Sequence, residues 1–113
     1  MCNQLVVKEI LNLITQAAKN LLGEKLDKVI LYGSYARGDY NSESDIDIMV
    51  LADVDTEEAQ RIENELWKIG WDLGYEHDIL ITVFFKDSRT FYRFLPIEPF
   101  YQNVIRNGVL LSA

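Results

Sequence analysis

Apolar positions Val6, Ile10, Leu13, Ile14, Ala17 and Leu21 recur every three or four residues, and Gly23 follows the last of them. That spacing predicts an amphipathic helix closed by a C-terminal glycine. The period then changes. KVILYGS at 28–34 and DIDIMVLA at 45–52 are short runs rich in β-branched and apolar residues, and each reads as a strand inside a sheet. Asp55 with Glu58 three residues on has the logic of a capping box, and Ala59, Ile62, Leu66 and Ile69 continue at helical spacing up to Gly70. A third strand is expected over 77–85, HDILITVFF, then a charged turn at KDSRT and a short helix in EPFYQNVIRNG that ends at Gly108. Strands alternating with helices predict an α/β fold, a mixed sheet of about three to five strands flanked by helices.

Length and charge narrow this picture. A chain of 113 residues fits one domain, 1–113, and leaves no room for a second, substrate-binding domain. With 18 acidic against 11 basic residues the formal charge is -7, which disfavours direct binding to a nucleic acid and favours a protein or small-molecule partner. The N-terminus lacks the basic and apolar blocks of a signal peptide, and ILITVFF is far shorter than the ~20 residues of a membrane helix, so a cytoplasmic location is expected. Cys2 is the only cysteine, which excludes an internal disulfide and a thiolate zinc cluster.

Two positions break the strand pattern of 45–52. Alternation puts Asp45 and Asp47 on one face, their Cα atoms roughly 6.5–7 Å apart, with Ile46, Ile48 and Val50 on the other. Like charges that close raise one another's pKa or call for a cation, and a hard divalent ion such as Mg²⁺ prefers oxygen donors of this kind. An EF-hand loop is excluded, since isoleucines separate the aspartates and the sixth position is Val50 rather than glycine. Upstream, Gly33 permits close backbone approach and Ser34 offers a hydroxyl at the start of SYARG, so the pair reads as a phosphate cradle.

Together these residues form G-S-x10-D-x-D, and GSYARGDYNSESDID resembles the signature of nucleotidyltransferases related to DNA polymerase beta. Short acidic single-domain chains of this kind are similar to the minimal nucleotidyltransferases, many of them antitoxins paired with HEPN-domain toxins. The resemblance implies that Gly33 and Ser34 hold the triphosphate of a nucleotide. It implies that Asp45 and Asp47 ligate two Mg²⁺ ions, and it calls for a third carboxylate on a later strand. Asp78, near the start of the expected third strand, matches that role, and Glu76, of the same parity, is the reserve candidate. Arg37 either clamps phosphate or pairs with Asp39; Ser44 either sets a hydroxyl near the metals or simply begins the strand. His77 falls on the opposite face by parity and is expected to pack. Tyr32 stands where some toxin-paired members carry an arginine.

The implied reaction transfers AMP from ATP to a hydroxyl, a tyrosine for preference, on a HEPN-type toxin encoded nearby, so that the chain acts as an antitoxin. Two other functions stay open: a module that neutralises the toxin by contact alone, and a nucleotidyltransferase with a small-molecule acceptor such as an antibiotic. Seven aromatic residues lie between 84 and 101. Alternation sends only one of Phe84 and Phe85 inward, and FYRFLP reads as a loop dense enough for an interface, with Phe91 and Tyr92 as its candidate contacts.

Overall fold

The computed structural model describes residues 4–113, and Cys2 lies outside them. Helix α1 (Gln4–Leu22) leads through a short 3₁₀ turn into strand β1 (Leu26–Tyr32). A single helical turn, α2 (Ser34–Arg37), precedes strand β2 (Ile46–Ala52), and the long helix α3 (Thr56–His77) leads to strand β3 (Ile81–Asp87). Helices α4 (Ser88–Phe94) and α5 (Pro99–Asn107) and strand β4 (Val109–Ser112) complete the fold. The sheet runs β3-β2-β1-β4, with β2 and β3 parallel and the other two pairings antiparallel. No helix among the described residues is long and apolar enough to cross a membrane.

Periodicity explains what each element buries. Along α1, Ile10, Ile14, Ala18 and Leu22 fall one turn apart and form the inner stripe, whereas Leu13 on its flank stays 46% exposed. In β2, Ile46, Ile48, Val50 and Ala52 meet α1 and α3 on one face of the sheet. Met49 and Leu51 meet Phe91, Tyr101 and Val104 of α4 and α5 on the other. The sheet is therefore covered on both faces. Phe85 packs into the first core and Phe84 against the second, which corrects the expectation that only one of them points inward.

The largest departure from the sequence pattern concerns α3. Its start is as expected, with the Asp55 side chain accepting from the Glu58 amide at 2.8 Å. Its end is not, because the helix continues through Gly70 and Gly74 to His77. Both glycines face β3: a Cβ at Gly70 would stand 3.2 Å from Val83 Cγ2, and one at Gly74 would strike the Ile79 carbonyl. They serve close packing rather than termination, so the third strand starts at Ile81 instead of 77. KDSRT is likewise no turn. Lys86 and Asp87 finish β3, and the Asp87 carboxylate caps α4 by accepting from the Thr90 amide.

Candidate active site

The end of β1 and the start of β2 lie side by side, Tyr32 pairing with Asp47. Between them the chain turns at Gly33, whose φ of 76° and ψ of -157° belong to a region almost closed to other residues. A Cβ there would collide with the Asp47 carboxylate at Oδ2. Gly33 thus has a reason for being glycine beyond approach to a ligand: it makes room for the carboxylate. Gly33→Ala is expected to cost on the order of 1–3 kcal/mol of stability and to displace the Asp47 carboxylate. Thermal melts alongside nucleotide titration would register both effects.

Asp45 and Asp47 are brought together as their spacing predicts, although the strand begins at Ile46 and Asp45 sits just before it, exposed. Burial raises the Asp47 carboxyl above the ordinary carboxylate range, the Asp45 charge raises it further, and the Arg37 guanidinium pulls it back. Arg37 therefore acts on this site. It also pairs through Nε with Asp39 Oδ2 at 3.2 Å, the second of the two roles considered for it. Ser44 Oγ accepts from the Asn41 amide at 2.9 Å and closes the loop leading into β2.

Asp78 and Glu76 do not join the pair. With α3 extended, Glu76 is an exposed residue of its last turn. Asp78 is the C-cap in a left-handed conformation, φ 54° and ψ 48°, before the strand rather than on it. Among the described residues no three acidic, histidine or cysteine side chains gather into a metal-binding group. The position on β3 in register with Asp47 is Thr82. Thr82 is the one polar residue of ILITVFF, and the parallel register was the missing signal. His77 ends α3, partly buried.

An aromatic floor adjoins the acids, which sequence reasoning assigned to no site. Phe100 of α5 packs edge-on against Tyr32 and Phe84, with ring centroids 5.6 and 5.8 Å away. The Tyr32 hydroxyl is pushed up to about 12 by burial and then by the Asp47 charge, so it stays a neutral donor throughout the working range.

Residues 11–107 match the family described as nucleotidyltransferase domain. This chain belongs to the nucleotidyltransferase family. A candidate protein adenylyltransferase of Methanocaldococcus jannaschii is 40% identical over 77 residues, which cover 66% of this chain and 76% of that protein. A second from the same organism is 51% identical over 49 residues, 43% of this chain and 45% of that one. Among solved structures, a chain of a toxin–antitoxin complex with AMP-PNP aligns at a TM-score of 0.54 and 23% identity, over 88% of this chain and 71% of that one. A chain from a complex of a tri-AMPylated Shewanella oneidensis HEPN toxin with an MNT antitoxin gives a TM-score of 0.52 at 23% identity, over 94% and 71%. At that identity the likeness is one of fold, and it agrees with the layered mixed sheet described above.

Proposed function

We propose that this nucleotidyltransferase moves AMP from ATP to a hydroxyl of a partner protein, a helical toxin of the HEPN type, and so acts as its antitoxin. The observation that carries the reading is the Asp45–Asp47 pair set against Gly33 and Ser34. The 40% identity to a candidate protein adenylyltransferase supports a protein acceptor. The partner is suggested by the toxin–antitoxin complexes that share the fold.

The donor set fits Mg²⁺: two hard oxygen ligands, one of which burial and its neighbour already disfavour as a bare charge. Asp45 and Asp47 would hold the ion, which when bound would supply neutralisation of phosphate charge. The chain's own residues do the rest. Gly33 lets the chain turn closely past Asp47, the Ser34 hydroxyl offers a donor to a phosphate oxygen, and the Arg37 guanidinium adds a positive charge beside them. In the transfer the acceptor oxygen bonds to the α-phosphorus as the bond to pyrophosphate breaks, and the acceptor's proton is released to solvent.

The test is incubation with α-labelled ATP, Mg²⁺ and the candidate toxin, with Asp45→Asn in parallel. Label on the toxin with the unaltered protein, and none with the variant, is the expected result. A site with two acids rather than three favours one competing reading, neutralisation by contact alone. Stable binding of the toxin without label from any of the four nucleotides would decide for that reading.

A further inference from the structure

Helix α3 carries three large rings pointing away from the core. Trp67, Trp71 and Tyr75 follow one another at four-residue intervals and are 62%, 69% and 86% exposed. An i, i+4, i+8 series lies along one side of a helix, so the rings form a continuous row. The row borders strand β3: Trp67 and Trp71 line a cleft with Leu80, Ile81 and Val83, and Trp71 and Tyr75 line a larger one of about 250 Å³ with Leu80. Leu80 itself is 55% exposed. Beside this surface β3 is the outermost strand of the sheet, with no neighbour beyond it among the described residues.

Each feature alone is a liability. A seven-residue edge strand that reads ITVFF before its first charge offers unpaired N–H and C=O groups to any other strand, and proteins ordinarily blunt such edges with charge, proline or a cover. Here it carries no proline, and its charges, Lys86 and Asp87, stand only at its end. The three rings and Leu80 together present on the order of 500 Å² of apolar surface, at the upper end of what a monomer shows in one patch. Interfaces of ordinary size bury about 800 Å² per partner, so this patch and the adjoining strand edge supply the area one side needs.

We infer that this face joins two copies of the chain in a twofold dimer, β3 pairing antiparallel with β3 and the aromatic rows of the two α3 helices meeting above the strands. Strand alternation makes the match self-consistent. Antiparallel self-pairing centred on Phe84 sets Val83 opposite Phe85, Thr82 opposite Lys86 and Ile81 opposite Asp87, so the centre of the junction is apolar on the α1/α3 side and the charges stand at its two ends. A single patch serves both subunits, as a twofold contact requires. The second copy is favoured over a helical partner because a helix would cover the rings and leave the strand edge unpaired. Asp47 lies on the opposite face of the sheet from α3, so the dimer leaves the carboxylate site open.

The test is sedimentation equilibrium across a concentration series, comparing the unaltered chain with Trp67→Arg/Trp71→Arg. Both side chains project into solvent, and circular dichroism and a melting curve check that the fold is retained. The unaltered chain is expected at twice its 13.1 kDa mass and the double variant at 13.1 kDa. A monomeric unaltered chain overturns the inference. So does a dimer that persists in the folded double variant, and so does a monomer that uses these tryptophans to bind a helical protein instead. Should the double variant fail to fold, Tyr75→Arg, at the most exposed ring of the row, reads the same equilibrium, and an unchanged dimer there overturns the inference.

Discussion

Asp47→Asn is expected to reduce nucleotidyl transfer by at least about 10³-fold, equivalent to roughly 4 kcal/mol of transition-state stabilisation, and at the same time to raise the melting temperature of the metal-free protein at pH 7. Ordinary loss-of-function substitutions lower both quantities. The opposite signs arise because the carboxylate is held where a charge is unwelcome: burial and Asp45 both oppose its ionisation, and Arg37 offsets them only in part. Asparagine keeps the shape and removes the charge. The gain reads directly as an upward shift of the thermal transition. Added Mg²⁺ should raise the melting temperature of the unaltered protein and leave the variant unmoved, since binding to the folded state alone stabilises it.

The pH dependence gives an independent check. A carboxyl whose folded-state pKa lies above its unfolded value near 3.9 favours the folded state most when protonated. Its contribution is fully present below the unfolded value and is lost as pH rises through the folded one. The stability advantage of Asp47→Asn should therefore be largest at neutral pH and vanish in acid. An advantage that persisted at low pH would place its origin outside the titration of Asp47. Equal transfer by both proteins would remove Asp47 from the reaction altogether.

How much of this was legible in the chain depended on whether the deciding contact was local. Helix α1, the Asp55 cap and the stop at Gly108 are set by neighbours within a few residues and stand as their spacing implies, although the buried stripe of α1 runs through Ala18 and Leu22 rather than Leu13, Ala17 and Leu21. The pairing of Asp45 with Asp47 was legible for the same reason. Gly70 and Gly74 were not, because a glycine that ends a helix and one that admits a neighbouring strand look alike until the strand is in place. That ambiguity displaced the third strand and, with it, Asp78. Gly33 posed the converse case: the need for glycine was plain, but its cause, the Asp47 carboxylate fourteen residues on, is a tertiary contact. Thr82 became visible only through the parallel register with β2, which no local pattern encodes.

The same distinction governs FYRFLP, where one substitution separates core from surface. Phe91→Ala is expected to destabilise the protein by about 3–5 kcal/mol, the usual cost of removing a buried phenylalanine. Far from lying on a loop, Phe91 belongs to α4, is fully buried and packs against Tyr101 with ring centroids 4.6 Å apart, in the cluster with Met49 and Leu51. Together with Tyr101 and Val104 it holds α4 and α5 on the site face of the sheet. Loss of that ring would loosen α5 and with it Phe100, whose contacts to Tyr32 and Phe84 form the floor beside Asp47. Tyr92 behaves differently. It is 40% exposed, and its hydroxyl bonds Asp27 Oδ2 at 2.9 Å and Lys28 Nζ at 2.8 Å, so Tyr92→Ala should cost only about 1 kcal/mol. Urea unfolding of the two variants measures the contrast. Equal and small losses would return Phe91 to the surface and restore it to the interface that the sequence alone suggested there, whereas a large loss confined to Phe91 assigns that ring to the core and removes it from any docking surface.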